Sequence, residues 1–141
     1  MRITKLVDVT LAPVDITVNA VSSQSICVFR NSNSGGVPGG YTVTASGSGA
    51  GSAFTLAAAG APIPLSYSVL WNDTPGQTTG TALTAAVTDT GHIASATNSS
   101  SCANAPLTSA SLIIQVLASN LQAVRGGRTY TGTLGIVIAP Q

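Results

Sequence analysis

The strongest constraint on the fold is the alternation of side chains near the end of the chain. Between residues 129 and 139, one face carries Tyr130, Leu134, Ile136 and Ile138, and the other carries Thr129, Thr131, Thr133, Val137 and Ala139. A period of two residues is typical of a half-buried β-strand, because successive side chains of a strand point to opposite sides. We predict a strand here that stops at Pro140, which has no backbone N–H to donate.

The same period recurs along the rest of the chain. It predicts strands at Val14–Ala20, Ile26–Arg30, Tyr41–Ala45, Ala53–Ala58, Leu65–Trp71, Leu83–Val87 and Leu112–Leu117, and one helical turn at Asn120–Ala123. Segments rich in Gly, Ser, Asn and Pro, such as Asn31–Gly40, read as the connecting loops. Short strands separated by turns predict an all-β sandwich, and a small β-barrel or a jelly roll is the alternative.

A further alternating segment precedes this domain. Lys5, Val7, Val9 and Leu11 alternate with Leu6, Asp8 and Thr10, and Ala12-Pro13 then interrupts the pattern. We therefore divide the chain into an N-terminal extension of residues 1–12 and a domain of residues 13–141. Such an extra strand can pair within its own sheet, or it can leave and complete the sheet of a neighbouring molecule.

Charge is scarce in this sequence, and this excludes several functions. Only 6% of the residues are charged, there is no Glu, and the net charge is +1. A few scattered bases cannot neutralise many phosphates, which argues against a nucleic-acid partner. Four Asp and one His offer little for acid–base or metal chemistry, so we expect no catalytic site, metal or cofactor. No apolar run reaches the ~18 residues of a membrane helix, so we expect no membrane insertion.

Two residues, His92 and Trp71, are of types common in catalytic or binding sites, and we interpret neither as part of such a site. His92 lies in a polar segment with Asp89 before it and Ser95 after it, and we interpret it as a solvated loop residue. Trp71, followed by Asn72 and Asp73, could form a sugar-binding platform, but such a Trp more often caps a hydrophobic core.

The two cysteines, Cys27 and Cys102, leave two alternatives. Neither lies in a CxxC pair, and a single His cannot complete a zinc site. An even number of cysteines in a chain rich in Ser, Thr and Gly favours a disulfide in an oxidising compartment over two free cytosolic thiols. Lys5 and Asp8 interrupt any signal-peptide pattern at the start of the chain, so either the chain is cytosolic or a secretion signal has already been removed. Because the cysteines favour an oxidising compartment, we expect that a signal has been removed.

Several segments, taken in order, resemble subunits of archaic chaperone–usher pili of the spore coat protein U type. They are Ile26–Val28, Tyr41–Gly49, Ala53–Leu56, Leu65–Asp73, Cys102 and Thr129–Gln141. The most specific piece is similar to the terminal G-x-Y-x-G/D-T-L strand of that family. Here it runs from Gly127 to Leu134, with one extra residue between the glycine and Tyr130.

The resemblance implies an immunoglobulin-like but incomplete β-sandwich that is completed by a donor strand. In that family a periplasmic chaperone first fills the gap, the N-terminal extension of the next subunit then replaces it, and an outer-membrane usher secretes the fibre. For this sequence the resemblance implies donor residues Val7, Val9 and Leu11 and an acceptor groove formed by Tyr130, Leu134, Ile136 and Ile138. It also supports a disulfide between Cys27 and Cys102.

We therefore expect a structural subunit of an extracellular pilus (fimbria) that serves surface attachment and biofilm formation. Its partners would be neighbouring copies of the same subunit, together with the chaperone and the usher. One alternative is a tip adhesin or other surface-binding domain, because apolar residues such as Ile63 and Ile93 fall in or near loops. A second alternative is a self-assembling coat protein.

Overall fold

The computed structural model describes residues 1–13, 15–30, 39–93, 99–124 and 126–141. Val14, residues 31–38 of the predicted loop, residues 94–98 and Arg125 lie outside the described residues. The strands are β1 (Arg2–Thr4), β2 (Ala20–Phe29), β3 (Gly40–Gly47), β4 (Thr55–Leu56), β5 (Leu65–Ser66), β6 (Ser68–Asn72), β7 (Thr81–Ala82), β8 (Thr88–Ile93), β9 (Ala110–Val116) and β10 (Leu134–Pro140). One helix, α1 (Ala118–Ala123), and a 3₁₀ turn at Ala50–Ser52 complete the elements of the described part of the chain.

Two main sheets enclose the core. The larger has five antiparallel strands in the order β1-β2-β9-β6-β7, and the smaller has three in the order β10-β3-β8. Strands β4 and β5 form a separate pair. Alternate residues of both sheets meet in one hydrophobic cluster, whose most buried members include Ile26, Val28, Tyr41, Val43, Ala45, Val69, Trp71, Leu112 and Val116. The protein is therefore all-β, and the arrangement is consistent with a β-sandwich.

The alternating apolar pattern located several elements correctly. The predicted strands at Tyr41–Ala45 and Leu112–Leu117 correspond to β3 and β9, and the helical turn corresponds to α1. The predicted strand at Leu65–Trp71 is divided into β5 and β6 at Tyr67. Strand β10 begins at Leu134, and before it only Thr131 makes a single bridge, to Ala57.

The predicted strand at Val14–Ala20 is wrong over its described residues, because only Ala20 belongs to a strand. The Asp15 carboxylate accepts hydrogen bonds from the backbone N–H and the hydroxyl of Thr17, at 2.8 and 2.6 Å. These hydrogen bonds hold Asp15–Thr17 in a local turn, which competes with the backbone pairing that a strand would need. The hydroxyl and the backbone N–H of Thr17 also hold the pKa of Asp15 below its ordinary value.

The predicted strand at Leu83–Val87 is also wrong, because this segment crosses between the two sheets. Leu83 donates its N–H to the Val69 carbonyl in the larger sheet, at 2.8 Å. Three residues later, Ala86 adopts a positive φ of 58° and donates its N–H to the Ala45 carbonyl in the smaller sheet. A chain that changes partner sheets within four residues cannot continue one ladder.

Cys27 and Cys102 form a disulfide, with 6.0 Å between their Cα atoms. The bridge lies on the side of β2 opposite to Ile26 and Val28, and both of its cysteines are fully buried. The hydroxyl of Ser109 adds a second tie, because it accepts from the Val28 N–H and donates to the Val28 carbonyl. The disulfide therefore fastens Cys102 to the outer face of β2, and Ser109 ties the residue before β9 to the backbone of β2. The disulfide is consistent with a non-cytoplasmic, oxidising compartment.

Candidate functional site

The first candidate site is the free edge of β10. This strand pairs with β3 over all seven of its residues, from Leu134 opposite Gly47 to Pro140 opposite Tyr41. No other strand among the described residues pairs with its second edge. An edge strand with free N–H and C=O groups can accept another extended segment.

Three of the predicted groove residues, Leu134, Ile136 and Ile138, lie on the core-facing side of this strand, and Tyr130 precedes it. Tyr130, Leu134, Ile136 and Ile138 are all partly buried and pack against the hydrophobic cluster, whereas Val137 on the opposite face is 64% exposed. The structure therefore brings these four side chains to one apolar border of the core. A strand added beside β10 could cover the part of each side chain that remains in water.

The predicted donor residues lie in an irregular segment that follows β1. Strand β1 covers only the last residues of β2, with Thr4 opposite Cys27. The chain from Lys5 onward then leaves the ladder, so the strand expected at Lys5–Leu11 is found instead at Arg2–Thr4. Val7 is 67% exposed and Val9 is 38% exposed, while Leu11 packs partly against the core.

An open cleft separates the end of this segment from the beginning of β2. Its volume is about 340 Å³, and it is lined by residues 10–13 together with Asp15 and residues 18–22. Along Ala20–Ile26, the edge of β2 that faces away from β9 has no ladder partner among the described residues. The larger sheet therefore has an unpaired edge beside the N-terminal segment.

A second candidate site is a polar cluster around the partly exposed Asp73 that the sequence did not reveal. The Asp73 carboxylate accepts hydrogen bonds from the Tyr41 hydroxyl at 2.6 Å, from Trp71 Nε1 at 3.1 Å and from the Ile93 N–H at 3.2 Å. His92 Nδ1 lies 3.1 Å from the same carboxylate. Since a carboxylate only accepts, we infer that Nδ1 carries a proton.

The aromatic rings of this cluster pack on one another. Tyr41 lies 5.3 Å from His92 and 6.3 Å from Trp71 between ring centroids. His92 is only 7% exposed, so the interpretation of this residue as a solvated loop histidine is wrong. Trp71 is 1% exposed, which confirms its structural interpretation and rules out the sugar platform in this conformation.

The cluster joins the two sheets at one end of the core, and it has no geometry for metal chemistry. Tyr41 and His92 belong to the smaller sheet, and Trp71 belongs to the larger. Among the described residues, no group of His, Cys, Asp or Glu is arranged to hold a metal ion. The sequence signals were Trp71-x-Asp73 and the local pair of Asp89 and His92, and neither revealed that β8 would bring His92 to the Asp73 carboxylate.

Tyr41→Phe should make the protein less sensitive to alkali. Burial, followed by the hydrogen bond to Asp73, raises the pKa of the Tyr41 phenol far above its ordinary value. The unfolded chain loses this proton above about pH 10, while the folded chain keeps it. The folded state therefore loses stability as pH rises through this range, at about 1.4 kcal/mol per pH unit for one such group.

Urea unfolding between pH 7 and pH 11 measures this effect. The free energy of unfolding should fall less steeply above pH 10 for Tyr41→Phe than for the unchanged protein. Burial raises the pKa of Tyr67 as well, so adding Tyr67→Phe should flatten the dependence further. Parallel curves for the unchanged protein and Tyr41→Phe would contradict the assignment.

Comparisons of the chain with protein-family models, with curated proteins and with solved structures found no match. The helices within the described residues are also too short or too polar to cross a membrane.

Proposed function

We propose that this protein is a structural subunit of an extracellular pilus that polymerises by donor-strand exchange. The observation that carries the proposal is β10, an edge strand with a half-buried apolar row and, within the described part of the chain, one edge without a partner. The most specific piece of the resemblance to archaic pilus subunits, Gly127 to Leu134, leads directly into this strand. An apolar edge strand left open in water invites pairing with another chain.

The strand order supports an incomplete immunoglobulin-like sandwich. The larger sheet places β1 beside β2, β2 beside β9 and β9 beside β6, and the smaller sheet places β10 beside β3. An immunoglobulin sandwich that has lost its last strand would leave the preceding strand at the edge of the smaller sheet. Strand β10 occupies that edge, so the position of the missing strand would coincide with the predicted acceptor groove.

The free energy of side-chain burial favours tight binding of a donor strand beside β10. Complete burial of a Leu or Ile side chain contributes roughly 1.5–3 kcal/mol. Leu134, Ile136 and Ile138 are already partly buried, so an incoming strand would gain roughly half of that amount at each position. Ladder hydrogen bonds along the seven residues of β10 would add to this gain.

The N-terminal extension supplies a suitable donor. Val7 and Val9 are separated by one residue, which places them on one face of an extended strand, and both are exposed where the segment now lies. Inserted beside β10 of a neighbouring copy, they would exchange water for an apolar groove. A periplasmic chaperone and an outer-membrane usher would be the assembly partners, and the pilus would serve cell adhesion and biofilm formation.

Replacing the exposed Val7 by Asp should abolish polymers without unfolding the subunit. Val7 is 67% exposed in the single chain, so a charge there costs little. In a donor strand the same side chain would be buried, and an unpaired carboxylate in an apolar groove is strongly unfavourable. The natively assembled protein is run on an SDS gel, boiled and unboiled, and Val7→Asp should lose the unboiled ladder.

Val87→Asp is the matched control, because Val87 is 53% exposed and lies between β7 and β8. It should keep the ladder. A Val7→Asp protein that still forms polymers, or a chain lacking residues 2–11 that does so, would refute donor-strand exchange through this segment. A single band for the unchanged protein in both lanes would favour a tip adhesin, and closed particles seen by electron microscopy would favour a coat protein.

A further inference from the structure

The N-terminal segment keeps the register of β1 after its ladder has ended. Thr4 pairs with Cys27, so an unbroken antiparallel ladder would place Val7 opposite Gln24. Lys5 interrupts this ladder, since its backbone φ is +66°, a left-handed conformation that side chains other than glycine rarely adopt. Val7 nevertheless remains beside Gln24, because the two residues are joined by hydrogen bonds.

The Gln24 side chain takes the place of the missing ladder. Its Oε1 accepts a hydrogen bond from the Val7 N–H at 2.9 Å, and its Nε2 donates to the Val7 carbonyl at 3.3 Å. A primary amide carries one acceptor and a donor in the same plane, so it can match both polar groups of one residue's backbone. We call this pair of hydrogen bonds the Gln24 latch.

The position of Gln24 is unusual for a polar side chain. It lies on the same face of β2 as Ile26, which is buried in the core, and its neighbour across the ladder is Leu112. A polar residue on the inner face of a sheet needs a partner. The Val7 backbone is that partner, so after Lys5 the segment leans over the inner side of the β2 edge.

Among the residues that the structure describes, the segment has few other attachments. Lys5 Nζ donates to the Leu107 carbonyl at 2.5 Å, and Leu11 packs partly on the core. The side chains of Val7 and Val9 gain little from this position, because both remain exposed. The segment is thus held mainly through its ends and through one side-chain amide rather than by a continuous strand.

We propose that the Gln24 latch holds residues 5–9 against the subunit's own sandwich and sets how often this segment is free to act in another subunit. The consequence for assembly rests on the proposed function, whereas the latch itself does not. Val7 and Val9 are the residues whose side chains donor-strand exchange would bury. A subunit with the latch closed cannot donate them, so opening of the latch must precede strand exchange.

Hydrogen exchange of the Val7 amide tests the latch. In the full-length monomer, Gln24→Ala removes the acceptor of this N–H, and exchange should become about tenfold faster, as expected for losing one or two net hydrogen bonds. Trypsin cleavage after Lys5 should accelerate in the same variant. Gln115→Ala is the matched control, because Gln115 lies on the outer face of β9, opposite Val21 and Ser68.

Gln24→Glu separates the two bonds of the latch. A carboxylate still accepts from the Val7 N–H but cannot donate to the Val7 carbonyl, so exchange at Val7 should be slower in Gln24→Glu than in Gln24→Ala. Equal Val7 exchange in the unchanged protein and in Gln24→Ala would overturn the latch. The same comparison decides the question even if no polymer ever forms.

The rate of polymer formation tests the second half of the proposal. Gln24→Ala subunits should form SDS-resistant polymers faster than unchanged subunits, and Gln115→Ala subunits should not. Faster exchange at Val7 with an unchanged rate of polymer formation would overturn the control of assembly. Absence of polymers from the unchanged protein would overturn both the proposed function and this control, while the exchange result would still decide the latch.

Discussion

Loss of the Cys27–Cys102 disulfide should lower the free energy of unfolding by about 4.5 kcal/mol. The bridge joins residues separated by 75 positions, and closing a loop of that length removes about 4.5 kcal/mol of chain entropy from the unfolded state at 25 °C in the chain-entropy model. The typical stability of a domain is about 5–15 kcal/mol. The bridge is therefore a large part of what keeps this chain folded.

Denaturation in guanidinium, with and without reductant, measures this contribution. The reduced protein keeps both sulfur atoms. The difference in the free energy of unfolding between the oxidised and the reduced protein therefore reports mainly on the cross-link. The double variant Cys27→Ala, Cys102→Ala also removes two fully buried sulfur atoms, and it should lose about 1–2 kcal/mol more. A reduced protein within 1 kcal/mol of the oxidised protein would show that the 75-residue loop is already restricted in the unfolded chain.

The sequence predicts best where one face of a strand meets the core. Leu112 and Ile114 in β9, and Ile136 and Ile138 in β10, are each two residues apart, which is the spacing of side chains on one face of a strand, and all four pack in or against the core. The disulfide was one of two alternatives that composition left open, and the structure confirms it. These features depend on local pattern and on residue counts, both of which are present in the sequence.

The sequence predicts poorly where a side chain replaces the backbone as a partner. The Asp15 carboxylate accepts a hydrogen bond from the Thr17 N–H in a segment where the alternation predicts a strand. The Gln24 side chain accepts from the Val7 N–H beside a ladder that Lys5 interrupts. In both cases the alternation is intact, but the hydrogen bonds go elsewhere. Periodicity alone does not report which group satisfies a backbone N–H.

The Asp73 cluster was missed for a related reason. Its members come from three strands and the turn after one of them, and His92 is separated from Asp73 by 19 positions. Only the pairing of β8 with β3, which sets His92 opposite Tyr41, brings them together. The sequence shows the residue types but not this register.

Replacing Asp73 by Ala should destabilise the protein far more than replacing Asp89 by Ala. Both carboxylates contact His92, at 3.1 Å for Asp73 and 3.3 Å for Asp89, and their side chains are 33% and 34% exposed. They differ in what else they hold. Asp73 also accepts from Tyr41, Trp71 and the Ile93 N–H, whereas Asp89 accepts from the Thr90 N–H.

The expected loss for Asp73→Ala is about 3 kcal/mol, because leaving a buried donor without its acceptor costs about 1–3 kcal/mol. The Tyr41 hydroxyl loses its acceptor outright, whereas Trp71 Nε1 keeps a hydrogen bond to that hydroxyl at 3.0 Å. Asp89→Ala should cost under 1 kcal/mol. The loss for Asp73→Asn, which keeps one acceptor oxygen, should fall between the losses for Asp73→Ala and Asp89→Ala. Urea unfolding at pH 7 measures all three, and equal losses for Asp73→Ala and Asp89→Ala would show that the cluster does not join the two sheets energetically.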